Sequence, residues 1–218
     1  MDGVFDSTGM GRIVSLKFLY FDLGMVLLNF SVERMCRQMA EVAGVGATEI
    51  SQVLFEGDLH RRYERGEISS RQFYDAFCRE TGTCPDYDRL ASAASDIFEL
   101  NGSIVPVVAQ LHQARYRLGV LSNTCENHWT YCLQRFALLH ETFSVFALSY
   151  ELHAMKPGAA IFHAAAQLAG VRPEEIFFCD DIAGHVAGAR AVGIDAVQYT
   201  STPELVGELR KRGLRFNY

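Results

Sequence analysis

An α/β fold, a doubly wound parallel sheet interrupted early by an all-helical insertion, is what this sequence predicts, on three observations. Beyond residue 101, segments with apolar residues at three- and four-residue spacing alternate with short apolar runs, the pattern of helices crossing between parallel strands. Residues 17–23, "KFLYFDL", are almost continuously apolar rather than alternating, as a strand buried on both faces requires. Between residues 31 and 101 every segment has helical spacing and none reads as a strand. The expected division is therefore a core of residues 16–30 and 102–218 and a helical unit of residues 31–101, preceded by a flexible arm over residues 1–15.

The elements follow in order. The first strand stops at Gly24. Four helical stretches follow, "SVERMCRQMAEVAG", "ATEISQVLFEGDLHRRYERG", "SSRQFYDAFCRETG" and "PDYDRLASAASDIFEL". Ser31, Thr48, Ser69 and Pro85 are their starts, and Gly44, Gly66 and Gly82 their stops. The alternation then begins. "SIVPVVAQLHQARYRLG" is helical and "RLGVLSN" a strand, "ENHWTYCLQRFALL" helical and "FSVFALSY" a strand. "GAAIFHAAAQLAG" is helical, "EIFFCDD" a strand, "AGHVAGARAVG" helical, "DAVQYT" a strand, and "PELVGELRKRG" the last helix. No internal repeat or low-complexity linker interrupts this order.

Composition bounds the function. The 218 residues are 49% hydrophobic and 21% charged, an ordinary globular balance. A formal net charge of −6 with neither sign blocked into a tail argues against nucleic acid or an anionic membrane surface as a partner. The six cysteines, Cys36, Cys78, Cys84, Cys125, Cys132 and Cys179, form no C-x-x-C pair and have no zinc-ligand spacing. They read as free thiols of a reducing, cytoplasmic setting. The apolar run at residues 16–30 is interrupted by Lys17 and Asp22 and is too short to span a bilayer.

Asp22 is the one acidic residue in the apolar run "KFLYFDLGMVLLNFS", and an unpaired buried carboxylate costs several kcal/mol, so it is expected to be used. In an open parallel sheet, ligands bind beyond the carboxyl ends of the strands. The first strand ends at Asp22, the second at Ser122-Asn123, and the fourth at Asp180-Asp181. The third is followed by Lys156, just before a helix expected to start at Pro157. Three carboxylates, a hydroxyl, an amide and an ammonium thus converge on one rim. Carboxylates with backbone carbonyls suit Mg²⁺. Lys, Ser and free backbone N–H groups suit a phosphoryl dianion. A carboxylate facing that phosphoryl group can act as its nucleophile.

With these residues in place, the chain resembles the haloacid dehalogenase superfamily of hydrolases, in the branch whose helical cap follows the first strand. "FDLGMVLLN", "VLSNT", "MKP" and "FFCDDIAGHVAGARAVGI" are similar to its four motifs, in order. "RRYERGEISSRQFYDAF" resembles the cap of the branch that includes bacterial glucose-1-phosphate phosphatases and the phosphatase domain of soluble epoxide hydrolase. The resemblance implies a Mg²⁺-dependent phosphatase of a small phosphorylated metabolite, working through an aspartyl-phosphate. Asp22 is then nucleophile and metal ligand, the carbonyl of Gly24 and the carboxylate of Asp181 further ligands, and Asp180 their neighbouring support. Ser122, Asn123 and Lys156, with the backbone of Gly24 and Met25, would hold the phosphoryl oxygens, and Lys156 would temper repulsion among the carboxylates.

Two positions depart from the family pattern. Gly24 stands where the family usually has a second Asp as general acid/base, a role typically worth roughly 10²–10⁴-fold, although the glucose-1-phosphate phosphatase branch also has Gly there. His185 stands where Asn is frequent, and is expected to bond Asp180 or Asp181, supporting the metal site or replacing the missing acid. Tyr63, Glu64 and Arg65 are substrate-contact candidates in the cap; His128 and Trp129 read first as core, and Cys125 as non-catalytic. Gly9-Met10-Gly11 lacks the context of a phosphate loop. Two other functions fit the same frame. One is a 2-haloacid dehalogenase, disfavoured because Asp180-Asp181 would repel a carboxylate substrate; the other is a catalytically weak phosphate-binding regulator, supported by Gly24 alone.

Overall fold

The computed structural model describes residues 15–218. The arm expected over residues 1–15 lies, but for Ser15, outside the described residues, as does Gly9-Met10-Gly11. The chain enters through β1 (Phe18–Phe21) and β2 (Leu28–Phe30), and then builds the helical unit from α1 (Val32–Ala43), α2 (Ala47–Ser51), α3 (Leu59–Glu64), α4 (Ser70–Thr81) and α5 (Tyr87–Ser95). It returns through β3 (Phe98–Leu100) to α6 (Val105–Gln113), β4 (Leu118–Ser122), α7 (Glu126–Arg135), α8 (Ala137–Thr142) and β5 (Val145–Leu148). The remainder is α9 (Ser149–Leu152), α10 (Ala159–Ala169), β6 (Ile176–Asp180), α11 (Ala183–Ala191), β7 (Asp195–Gln198) and α12 (Thr202–Lys211).

Five parallel strands form the core sheet in the order β5-β4-β1-β6-β7. Its apolar runs are explained by burial on both faces. Phe18 and Tyr20 of β1 pack with Phe162, Ala165 and Val186 of α10 and α11, whereas Leu19 and Phe21 point into the opposite layer with Val107, Leu111 and Leu209 of α6 and α12. The chain goes from β1 to β4 and β5 on one side, then crosses back to β6 on the other. Asp22 and Asp180 therefore end neighbouring strands at the point where strand order reverses, where α/β sheets open a crevice.

Local signals set several helix ends as expected. Ser31 Oγ accepts the N–H of Arg34 at 3.1 Å, and Ser69 makes a reciprocal capping box with Gln72. Gly44 and Gly82 close α1 and α4 with φ of +72° and +66°. Other expectations need correction. The stretch that begins near Thr48 is not one helix: α2 passes into a π-helical turn, Gln52–Glu56, and breaks at Gly57-Asp58, where Asp58 has φ +58°. Asp86, not Pro85, caps α5, its Oδ1 accepting the N–H of Arg89 at 2.9 Å. The helix after Lys156 starts at Ala159, not Pro157, with Gly158 at its cap.

The expectation of no strand in residues 31–101 also fails. Phe98–Leu100 pairs antiparallel with Leu28–Phe30, which makes a two-stranded ribbon at the root of the helical unit. The entering and leaving chains run side by side there, and pairing satisfies their backbone groups. Three residues carry too little periodicity to be read as a strand when their partner lies some seventy positions away.

Candidate active site

The β1 loop begins the site. Backbone bonds from Leu27 and Leu28 N–H to Leu23 O, and from Met25 N–H to Leu28 O at 2.7 Å, fold residues 23–28 into a tight turn. Asn101 holds this turn from the far end of the helical unit, donating to Val26 O at 2.9 Å and bonding Tyr199 Oη at 2.9 Å. Gly24 lies inside the turn, where a Cβ would meet Phe30 Cε1 at 2.8 Å. The absence of a side chain at residue 24 is thus matched by an aromatic ring in the space that side chain would need. Met25, with φ +56°, spends its N–H on Leu28, so that group is directed into the loop rather than toward a ligand.

Asp22, Lys156 and Asp180 meet under this loop. Lys156 Nζ lies 2.9 Å from Asp22 Oδ1 and 2.7 Å from Asp180 Oδ2, and donates to Leu121 O at 3.0 Å. Its side chain is fully buried. Asn123 fixes where Lys156 starts: its amide accepts the Lys156 N–H at 2.9 Å and donates to the Lys156 carbonyl at 3.0 Å. Asp22 Oδ1 also accepts the N–H of Leu23 at 2.6 Å. The two hydrogen bonds to Asp22 fall on one oxygen; among the described residues none holds Oδ2. Ser122 Oγ, buried beside them, donates to the carbonyl of Asn123 at 3.3 Å and, among the described residues, to no other group.

Asp180 is held on every side. Ile182 N–H donates to its Oδ1 at 2.8 Å, and His185 Nδ1 sits 3.1 Å from both carboxylate oxygens. Burial pushes this carboxyl up, but His185, Lys156 and Ile182 N–H outweigh it and hold Asp180 at about 2. Asp22 goes the other way. Burial dominates, the Asp180 charge adds to it, and Lys156 only partly compensates, so Asp22 rises to about 7. Asp181 is less buried; burial and the neighbouring Asp180 charge raise its carboxyl too, and its carbonyl accepts Gln198 Nε2 at 2.8 Å.

Two carboxylates around one ammonium leave a charge deficit that a cation would fill. Atoms of Asp22, Asp180 and His185 lie within 4.8 Å of one another; the two carboxylates are hard oxygen donors, whereas the His185 nitrogen, a borderline donor, faces Asp180. The expected ligand Asp181 stands outside that group. Asp180, inside it, already has both oxygens engaged by Lys156, Ile182 and His185. The Gly24 carbonyl accepts no hydrogen bond among the described residues, which leaves it open to a ligand's cation.

Above the rim, a cavity of about 70 Å³ is floored by Leu23, Gly24, Ser122 and Asn123 and roofed by residues of the helical unit, His60 and Glu64 among them. The other cap candidates are placed differently. Tyr63 is buried, its hydroxyl bonding Ser70 Oγ at 2.7 Å and accepting Asn127 N–H at 3.1 Å, so it staples the cap to α7. Arg65 pairs with Asp58 and Glu67. His128 lines the cavity but is committed to Ala94 O at 3.1 Å, and burial, reinforced by His60, lowers it to about 4. Trp129 packs on Phe146, and Cys125 is a buried thiol whose pKa burial raises. Ser149 was not legible as a site residue. Its hydroxyl is 2.6 Å from Glu64 O and 3.0 Å from Thr124 O, and ties the end of α3 to the core. Gly66 marks the same approach: φ is +68°, and a Cβ would lie 2.1 Å from Tyr150 O.

The family model of the haloacid dehalogenase-like hydrolases matches residues 26–193, well over half of the chain. The chain is a haloacid dehalogenase-like hydrolase. Solved haloacid dehalogenase-like proteins share its architecture. The family enzyme BT-2542 from Bacteroides thetaiotaomicron, solved with magnesium and inorganic phosphate, is 25% identical, with a TM-score of 0.75 over 84% of this chain and 94% of that one. A HAD-like hydrolase from Porphyromonas gingivalis is also 25% identical, with a TM-score of 0.75 over 89% of this chain and 98% of its own. The L-2-haloacid dehalogenase of Xanthobacter autotrophicus, at 20% identity and a TM-score of 0.62, shares the fold. Among the described residues no helix is long and apolar enough to cross a membrane.

Proposed function

We propose that this hydrolase is a Mg²⁺-dependent phosphatase of a small phosphorylated metabolite, with Asp22 as nucleophile and an aspartyl-phosphate as intermediate. The observation that carries this reading is the buried trio Asp22–Lys156–Asp180, in which one ammonium faces two carboxylates. Without a cation, the acids Asp180 and Asp181 beside Asp22 disfavour a carboxylate substrate such as a 2-haloacid. A site short of positive charge favours a cation and, through it, a phosphoryl dianion. The 25%-identical relative solved with magnesium and phosphate supports the same choice. The free state of all six thiols supports a cytoplasmic setting.

Asp22, the Gly24 carbonyl and Asp181 would hold Mg²⁺, with Asp180 and His185 beside them. Bound there, the cation would neutralise phosphoryl oxygens and keep Asp22 ionised. The chain's own residues do the rest. Oδ1 of Asp22 is fixed by Leu23 N–H and Lys156, so Oδ2 is the oxygen free to attack phosphorus. Lys156, Ser122 and Asn123 bind and orient the phosphoryl group, and the cap excludes water above it. Phosphate release from a panel of sugar phosphates, acyl phosphates and nucleotides, with Mg²⁺ and with chelator, tests the reading. Asp22→Asn should abolish turnover without loss of fold. Turnover within tenfold of wild type, with reversion by deamidation excluded, refutes the covalent route. Release of halide from 2-haloacids without metal would favour the dehalogenase instead, and inactivity on every ester a phosphate-binding regulator.

A further inference from the structure

Resting on that phosphatase reading, we propose that His60, held by Glu64, is the cap-borne acid/base that protonates the leaving group. The reaction geometry locates the need. In an in-line displacement the leaving oxygen lies on the side of phosphorus opposite the attacking oxygen. Asp22 attacks from the core, so the leaving oxygen projects into the cavity between Gly24, Ser122 and Asn123 and the cap. Gly24 supplies no proton there, and the Phe30 ring fills the space its side chain would occupy.

Among the described residues, three ionisable side chains line that cavity: His60, Glu64 and His128. His128 is neutral and bonded to Ala94 O. Glu64 is an ionised acceptor: burial raises it, but His60, His128 and Lys156 outweigh burial and hold it below the usual carboxylate range. His60 remains. Its Nε2 is 3.4 Å from Glu64 Oε1, one helical turn away on α3, and its ring packs against those of Phe55 and His128, at 5.5 and 5.6 Å between centroids. Ser149 anchors the Glu64 carbonyl to the core, so the pair is fixed relative to the phosphate rim. A histidine that lines the cavity with one ring nitrogen held by a carboxylate is oriented as proton-transfer histidines are.

The groups facing His60 are Glu64 on its own helix and His128 on α7, with the Asp22–Lys156 pair below the cavity floor. In the first step Asp22 Oδ2 bonds to phosphorus, the bond from phosphorus to the leaving oxygen breaks, and His60 gives that oxygen its proton, releasing a neutral alcohol. In the second step water attacks phosphorus from the vacated side, the bond from phosphorus to Asp22 breaks, and neutral His60 takes the water's proton. Aspartate, phosphate and protonated His60 result, and the cycle closes.

The test isolates the first step. Leaving-group release in the first turnover is measured by rapid quench for ethyl, 2-fluoroethyl, 2,2,2-trifluoroethyl and acetyl phosphate, with full-length protein and Mg²⁺. His60→Gln should slow ethanol release roughly 10²–10⁴-fold, trifluoroethanol release less, and acetate release by under about threefold, because acetate leaves without a proton. Glu64→Gln should give a smaller loss with the same ordering, and both variants should retain wild-type Mg²⁺ affinity and melting temperature. An equal loss on all four substrates, or no loss on ethyl phosphate, overturns the assignment while leaving the phosphatase reading intact. Failure of the wild type to release phosphate from these four and from the sugar phosphates and nucleotides of the panel above overturns both.

Discussion

Replacing Lys156 by Met keeps most of the side-chain volume and removes one buried positive charge from between two carboxylates. At 2.9 and 2.7 Å, each contact corresponds to about 6 kcal/mol of attraction at an effective dielectric of about 20. Removing the ammonium also removes its own desolvation cost, several kcal/mol, and lets one carboxyl take up a proton. The net expectation is the loss typical of breaking a buried pair, about 3–5 kcal/mol, or about 6–20 °C in melting temperature for a chain of this size. The loss should depend on pH with a definite sign. In the wild type Asp22, raised to about 7 by burial, sheds its proton above that pH, whereas without Lys156 the folded protein keeps it. The variant then binds about one more proton than the wild type, so the deficit grows by about 1.4 kcal/mol per pH unit above 7 and levels off below it. Urea denaturation of both proteins in chelator, from pH 5.5 to 8.5, measures this. Millimolar Mg²⁺ should restore part of the loss, since a cation at the carboxylates replaces the missing charge. A deficit below about 1 kcal/mol that does not change with pH would refute the reasoning, because the carboxylates would not then share a buried positive charge.

Asp181→Asn should weaken Mg²⁺ binding with little change in stability, whereas Asp180→Asn, losing the Lys156 ion pair at 2.7 Å, should cost about 3–5 kcal/mol of stability as well; titration of Mg²⁺ and thermal melts of both variants separate the roles, and reversed losses would make Asp180 the direct ligand. Because Asp22 must be ionised to hold the cation, Mg²⁺ affinity should fall about tenfold per pH unit below about 7 and level off above it; calorimetry in buffers of differing ionisation enthalpy should find about one proton released per ion at pH 6 and almost none at pH 8.5. Gly24→Asp should not add activity by itself, because its Cβ would stand 2.8 Å from Phe30 Cε1; paired with Phe30→Ala it should raise turnover of alkyl phosphates above that of Phe30→Ala alone, and parity between those two variants would show that residue 24 is out of reach of the leaving group.

Much of this protein was determined by sequence alone, wherever the physics is local. Alternation of helical and strand periods predicts a parallel sheet, and the apolar run around Asp22 predicts a strand buried on both faces, as Phe18 to Phe21 are. Ser31 and Ser69 cap helices because a hydroxyl needs only the next turn of its own chain. The convergence of Asp22, Ser122, Asn123, Lys156 and Asp180 was likewise legible, because parallel strands must all end on one rim. What the tertiary structure decided depends on residues far apart in the chain. Pairing of Leu28–Phe30 with Phe98–Leu100 needs both ends of the insertion. The ring of Phe30 over Gly24, and the Asp22 carboxyl pushed up while Asp180 is pushed down, follow from how side chains pack and share one ammonium through space. The meeting of His60 and Glu64 with the strand-end rim has the same origin: an i, i+4 pair on a helix is visible in sequence, but the cavity it faces is formed by residues of the helical unit and the sheet edge together.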